Sequence, residues 1–308
     1  MTATNATPTR RAAVVINPAK SVGPELRNSI FRLCQTQGWA EPLWLETTVD
    51  DPGEGQSREA LEAGVDVVIA AGGDGTVRCV AEILAGSGVP LGLVPLGTGN
   101  LLARNLGINI TDPVAAAYDV LNGTERTVDV VRTNLDGSAD AQVFLVMGGL
   151  GYDAAIMADT IDVLKDRMGW LAYVEAGIRK LPGKPVRARI SMDGQHPVRR
   201  RIRSVMIGNC GRIMGGVEIF PEAEVDDGVL DLLILAPRGR LGWLGVVAGI
   251  FGRSKRKNTS VEYFKGKSAE ITLEREQEFQ LDGDHVGTGK HLAVSVEPAA
   301  LKIRMMNP

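Results

Sequence analysis

Two glycine-bearing turns hold the residues with the clearest chemical purpose. Gly72-Gly73-Asp74-Gly75-Thr76 follows the apolar run VDVVIAA, and Val77, Val80, Ala81 and Leu84 then recur at helical spacing. Glycines allow close approach of backbone to an anion, and the first N–H groups of a helix lack internal partners. Strand, glycine turn and helix in that order suit a nucleotide phosphate. Gly97-Thr98-Gly99-Asn100 repeats the pattern, after PLGLVPL and before LLARNL. Two strands joined by one helix are parallel neighbours or near neighbours. Both turns therefore fall at the same carboxyl edge of a sheet, where open α/β sheets take ligands.

Two familiar nucleotide motifs are excluded. A G-x-G-x-x-G fingerprint would need glycine where Arg78 or Leu102 stands, and a P-loop ending at Gly289-Lys290 would need glycine at Asp284 and Ser or Thr at His291. Carboxylates cluster later. Phe279-Gln280-Leu281-Asp282-Gly283 is followed by Asp284, and carboxylates two apart at a strand end project to one side, so one can orient or bind metal while the other accepts a proton. The competing reading is a hairpin turn, which favours Asp-Gly. Phe220 to Gly228 gathers Glu222, Glu224, Asp226 and Asp227, either a seat for a hard cation such as Mg2+ or a solvated acidic turn. His196, His285 and His291 show no metal-ligand spacing, and no G-x-S-x-G elbow is present.

The elements that must position these residues alternate over the first third of the chain. Ala12–Ile16 reads as a strand ending at Asn17-Pro18-Ala19-Lys20, where Asn or Lys can reach a phosphate at the sheet edge or simply form a turn. Helices are expected over Pro24–Trp39, Glu54–Gly64 and Asp112–Leu121, and a strand over Pro42–Val49 with Thr47 and Thr48 at its end. From Thr127 onward, alternating runs such as VRARISMDG, GVLDLLIL and SAEITLE follow one another. Only Ala154–Arg179 and about Gly239–Phe251 interrupt them as helices. The pattern implies an α/β fold: a Rossmann-like parallel-sheet nucleotide-binding domain over 10–127, then a β-sandwich over 128–290, with the active site in the cleft between them. Asp193-Gly194 marks a hairpin in the second domain, and Leu292–Ile303 reads as a last strand returning to one domain or the other. Gly148, Gly149 and Gly151 end a strand and suit either close approach of a ligand or a plain turn.

With 308 residues, 44% hydrophobic and 23% charged, the chain has room for about two domains. A net charge of −3 gives no global pull toward nucleic acid. Cys34, Cys79 and Cys210 form no C-x-x-C pair and read as core residues in a reducing compartment. Met1–Thr9 lacks a secretory apolar region. Leu241–Phe251, the longest apolar run, falls well short of the roughly 20 residues of a spanning helix. A soluble protein is expected. Leu241–Phe251 with Arg253, Lys255, Arg256 and Lys257 reads equally as an interfacial segment or as a core helix with a solvated basic end.

GGDGTV at 72–77, PLGTGN at 95–100, Asn17-Pro18 and Leu281-Asp282-Gly283-Asp284, in this order, resemble the diacylglycerol kinase catalytic-domain family, bacterial lipid kinases related to sphingosine kinases. The resemblance implies an ATP- and Mg2+-dependent transfer of the γ-phosphoryl group to a lipid hydroxyl, foremost diacylglycerol, giving phosphatidic acid. It implies nucleotide contacts from Asn17, Thr47, Gly72, Gly73, Asp74, Gly75, Thr76, Gly97, Thr98 and Asn100, with catalytic roles among Asp284, Asp282 and Asp74. It also implies a structural magnesium site built from the Asp227 carboxylate and the carbonyls of Glu224 and Val229, a cleft-facing wall at Phe144–Asp153, and a C-terminal segment, 291–308, packed back on the first domain. The family's Asp-Gly-Glu is Asp282-Gly283-Asp284 here, one methylene shorter, and its Asn-Asp-Gly is Asp226-Asp227-Gly228. A cytoplasmic enzyme touching the inner face of the membrane transiently follows from this reading, with ATP and a membrane lipid as partners, no nucleic acid, and a homodimer left open. Two rivals stand beside it: an NAD kinase, which shares the GGDG turn, and a nucleotide-binding sensor that has lost catalysis at Asp284.

Overall fold

The computed structural model describes residues 10–20, 23–138, 141–150, 185–213, 218–237 and 260–306. The helices expected over Ala154–Arg179 and Gly239–Phe251, with the basic run to Lys257, lie outside them. The chain divides into two compact units, with boundaries at Val128/Asp129 and Pro298/Ala299.

The first unit opens with β1 (Ala12–Ile16), α1 (Pro24–Thr36), β2 (Leu43–Glu46), α2 (Glu54–Glu62), β3 (Val67–Gly72), α3 (Asp74–Leu84), β4 (Leu91–Pro95), α4 (Leu101–Asn105) and α5 (Pro113–Asn122). The strands are parallel in the order β4-β3-β1-β2, with Val68 opposite Leu91, Ala12 opposite Val67 and Ala13 opposite Leu43. β1, β3 and β4 are buried along their whole length, as their unbroken apolar runs require. Ala12, Val14, Ile16, Val67, Ile69 and Ala71 form one core with Leu26, Ile30 and Cys34 of α1 and Ala117, Val120 and Leu121 of α5. Each large aliphatic side chain buried there contributes about 1.5–3 kcal/mol. The three cysteines are buried thiols outside any disulfide, and burial pushes the Cys34 thiol up to about 11.

Element ends differ from the sequence expectation for identifiable reasons. α1 stops at Thr36 because Gly38 turns left-handed (φ 72°) and the chain closes with Trp39 N–H donating to Cys34 O at 2.8 Å and Gly38 N–H to Gln35 O. β2 stops at Glu46, and Thr48 to Asp51 reverses the chain, with the Asp51 N–H donating to Thr48 Oγ1; Val49 is fully exposed. Asp112 caps α5, its carboxylate accepting the N–H groups of Val114 and Ala115, with Pro113 in the first turn.

The remaining strands are β5 (Thr124–Leu135), β6 (Gln142–Phe144), β7 (Met147–Leu150), β8 (Val186–Met192), β9 (Val198–Ile202), β10 (Ser204–Gly208), β11 (Leu230–Leu235), β12 (Val261–Gly266), β13 (Ser268–Leu281) and β14 (Asp284–Met305). The second unit orders them β12-β11-β10-β7-β13-β14, with the β8–β9 hairpin on β13 and β6 on β5. The strand pairs from β12 across to β14, and β8–β9, are antiparallel. Val186, Ala188, Ile190 and Met192 alternate inward and share a core with Ile271, Leu273, Leu232, Ile234 and Phe279. This is a sandwich-like β unit. Asp193 and Gly194 turn the β8–β9 hairpin with positive φ.

β14 corrects the reading of Leu292–Ile303 as a separate strand. It runs unbroken from Asp284, and register shifts against β13 absorb the irregularity that glycines at 287 and 289 suggest. Its last residues belong to the first unit, where Ile303 pairs in parallel with Leu91 of β4. Among the described residues, no helix is long and apolar enough to cross a membrane.

Candidate active site

In the first unit, four strand ends present their following residues at one carboxyl edge. Asn17 follows β1; its N–H donates to Ala71 O, and its Oδ1 accepts the Ala19 N–H. Thr47 follows β2, buried, with its N–H on Ile16 O. Gly72 ends β3 and Gly73 alone links it to α3, so the turn is tighter than a five-residue loop. Leu96 N–H, after β4, donates to Gly72 O.

The two glycine turns touch. A Cβ on Gly97 would lie 2.7 Å from the Gly73 Cα, so only hydrogen at position 97 permits this approach. Asn100 takes a left-handed conformation (φ 47°), and its side chain closes the second turn, accepting from Gly97 N–H and donating to Gly97 O. Asp74, first residue of α3, accepts the N–H of Leu101, first residue of α4, at 2.5 Å. Thr76 is buried with its side chain against Gly72, Gly75 lies in the first turn of α3, and Thr98 is exposed. Asn17, Thr47, Gly72, Gly73, Asp74, Gly75, Thr76, Gly97, Thr98 and Asn100 thus all sit at or beside this edge. The early N–H groups of α3 and a backbone stripped of side chains can receive phosphate oxygens.

The second unit carries the other carboxylates. Asp282 (φ 49°) and Gly283 (φ 94°) form a two-residue turn between β13 and β14, with Leu281 opposite Asp284. The expectation that the two carboxylates project to one side is therefore corrected: alternation holds along a strand, and here the chain reverses between them. Asp282 is 6% exposed, and its carboxylate accepts the N–H groups of Leu145, Val146 and Met147, each at 2.9 Å. Its own N–H donates to Met147 O. Asp284 is exposed at the head of β14.

The segment clamped by Asp282 is held from its other side by Asn209. That fully buried amide donates to Leu145 O and Asp129 O, and its N–H to Val146 O. Neither Asn209 nor Asp129 was legible as a site residue; the one signal was a lone carboxylate inside the apolar VDVV run. The glycines at 148–149 are also corrected. Gly148 packs against Phe144 and Leu281, and Gly149 against the backbone of Val205 on β10, so strand packing rather than a ligand demands them. Gly151 to Asp153 lie outside the described residues.

At the acidic turn, Asp129 Oδ2 accepts the Gly228 N–H at 2.6 Å and Asp227 Oδ1 accepts the Val229 N–H at 2.9 Å. Partial burial raises the Asp227 pKa above the ordinary carboxylate value; the Val229 N–H and Lys265 oppose the rise, and the charges of Asp129 and Glu224 add to it. Asp231, nearly buried, is likewise raised by burial first, and its Oδ2 has no hydrogen-bond partner. Lys265 lies 3.4 Å from Asp231 and donates to Glu222 O. This excess of hard oxygens fits a divalent cation such as Mg2+. Among the described residues, no three acidic, histidine or cysteine side chains converge on one metal point. An ion here would lean on one carboxylate, Asp227, and on main-chain carbonyls such as those of Glu224 and Val229.

Residues 11–133 match the family described as the diacylglycerol kinase catalytic domain, and residues 147–305 match the YegS C-terminal NAD kinase beta sandwich-like domain. A Pseudomonas fluorescens protein named "Probable lipid kinase YegS-like" is 32% identical over 301 residues, 96% of this chain and 95% of that protein. The Bacillus subtilis protein named "Diacylglycerol kinase" is 28% identical over 283 residues, 90% of this chain and 91% of its own. A solved structure of a diacylglycerol kinase from Bacillus anthracis, 22% identical, shares the fold with a TM-score of 0.72 over 97% of this chain and 98% of its own. Matched along both of its halves, and by a relative almost end to end, the chain belongs to the diacylglycerol kinase catalytic-domain family and is a lipid kinase.

Proposed function

We propose that this kinase transfers the γ-phosphoryl group of ATP to the hydroxyl of a membrane lipid, with diacylglycerol as acceptor and phosphatidic acid as product. Family membership implies the use of ATP. The acceptor is suggested by the family's description and by the name of the Bacillus subtilis relative. The observation that carries the reading is the paired glycine turn, in which Gly73 and Gly97 meet backbone to backbone beneath the first turn of α3.

In this reading Gly72 to Thr76, with Thr98, receive the nucleotide phosphates through main-chain N–H groups, and Asn17 and Thr47 line the same edge. The acceptor oxygen attacks the γ-phosphorus as the bond to the β,γ-bridging oxygen breaks, and ADP leaves. The hydroxyl proton passes to the Asp284 carboxylate and then to solvent. Asp284 suits this role better than Asp282, whose oxygens already serve three N–H donors. Phosphoryl transfer depends mainly on positioning and charge stabilisation, so the chain's principal contribution is to hold the donor and place one base. A Mg2+ held at Asp227, Glu224 and Val229 would neutralise the acidic turn and brace the second unit. The acceptor's apolar tails keep it in a bilayer, so catalysis involves transient contact with a membrane surface.

Incubation of the enzyme with labelled ATP, Mg2+ and mixed micelles carrying diacylglycerol, ceramide, a sphingoid base or a glycolipid tests the reading. Label in diacylglycerol supports it; label in another lipid corrects the acceptor, and label only in soluble NAD contradicts it.

A further inference from the structure

We infer that Lys20 supplies side-chain positive charge to the nucleotide's phosphates, an assignment that rests on ATP being the donor. The sequence leaves Lys20 either within reach of a phosphate or simply at the end of a turn; the structure gives it a direction. Pro18–Lys20 forms a single 3-10 turn, fixed by the Asn17 Oδ1 bond to Ala19 N–H and by Lys20 N–H donating to Asn17 O at 3.1 Å. From that anchor the side chain reaches across the sheet edge to the other glycine turn. Its Nζ lies 2.7 Å from the point a Cβ on Gly73 would occupy, and its Cε 3.8 Å away. The ammonium thus rests over the one residue linking β3 to α3, beside the N–H groups that face a phosphate.

Two further observations separate Lys20 from its neighbours. Arg104, the other cation at these turns, donates its Nε to Gly99 O at 2.7 Å and its Nη2 to Thr98 O, so its guanidinium braces the second turn. Lys20, by contrast, is exposed, and among the described residues no carboxylate pairs with it. A compact ammonium on a flexible stem can follow a phosphate from ground state to transition state. The missing Cβ of Gly73 leaves room for this ammonium: any side chain there would push it off the turn.

Lys20→Met and Lys20→Arg test the assignment, read by nucleotide binding and by transfer to lipid. Charge-assisted bonds to phosphate correspond to roughly a tenfold to hundredfold change in affinity. Lys20→Met should weaken ATP by that factor, leave adenosine affinity within about twofold, and leave the thermal midpoint of the nucleotide-free protein unchanged, because an exposed unpaired lysine contributes little to folding. Lys20→Arg should recover part of the ATP affinity. Unchanged ATP affinity in Lys20→Met, or an equal loss for adenosine, would overturn the assignment. The wild-type protein separates the two proposals: ATP binding without label in any lipid overturns the acceptor and leaves the Lys20 comparison intact, whereas no ATP binding overturns both.

Discussion

The Asp74 carboxylate accepts the backbone N–H of Leu101 at 2.5 Å, so the opening residue of α3 holds the opening residue of α4. One side chain thereby fixes the spacing of the two glycine turns. Asp74→Ala should destabilise the first unit by about 1–3 kcal/mol, the cost of orphaning a charge-assisted bond, while Asp74→Asn keeps an acceptor oxygen and most of that stability. Urea unfolding of both variants checks this. Equal losses would show that the charge, not the bond, stabilises the turn pair.

The contact of Gly97 with Gly73 has an asymmetric consequence. A methyl at 97 meets backbone, the Gly73 Cα at 2.7 Å, whereas a methyl at 73 meets first the movable end of Lys20. Gly97→Ala should therefore cost about 1–3 kcal/mol in stability and abolish nucleotide binding. Gly73→Ala should fold with nearly wild-type stability and bind ATP weakly. Thermal unfolding and nucleotide titration together distinguish the two, and a reversed order of stabilities would contradict the packing described.

Asp282 anchors the Leu145 to Met147 segment through three backbone N–H groups. Asp282→Ala leaves three buried N–H groups without acceptors, and the loss should reach about 3 kcal/mol or more. In Asp282→Asn the amide oxygen can replace Oδ1, which serves Val146 and Met147, while the Leu145 bond to Oδ2 is lost. That variant should keep lipid phosphorylation within about tenfold of wild type, measured at a temperature where it remains folded.

Asp231 gives the second unit a pH dependence of definite sign. Burial raises its folded-state pKa above 3.8, Asp227 and Glu222 add to the rise, and Lys265 opposes it. The folded chain therefore keeps this proton to higher pH than the unfolded chain. Its contribution favours folding fully below the unfolded-state value, about 3.9, and is lost as pH rises through the folded-state value. Asp231→Asn removes the titration, so its unfolding free energy relative to wild type should grow as pH is raised from about 4 toward neutrality. Urea unfolding across that range reads the difference. A difference that shrinks with pH would mean the Lys265 pairing outweighs burial.

The sequence was most legible where the signal is local. β1, β3 and β4 are continuous apolar runs, and the chain buries them on both faces. The glycine turns were readable because few residues other than glycine tolerate such approach. Ends were less so: Gly38 ends α1 early, and β14 passes through glycines that suggest a break. The alternation argument at Asp282 and Asp284 failed because positive φ at 282 and 283 reverses the chain. Asn209 and Asp129 were invisible as site residues because their partners lie far away in sequence: Asn209 reaches Asp129 across 80 residues and Asp129 reaches Gly228 across 99. No window of sequence contains such a bond.

Transfer of label from ATP to diacylglycerol in mixed micelles, wild type against Asp284→Asn, tests the proposed role of Asp284 as acceptor of the lipid hydroxyl's proton. The expected result is a loss of at least about a hundredfold in kcat, in line with removal of a general base, with ATP affinity and the thermal midpoint unchanged. Retained turnover in Asp284→Asn would contradict the assignment and place the base elsewhere.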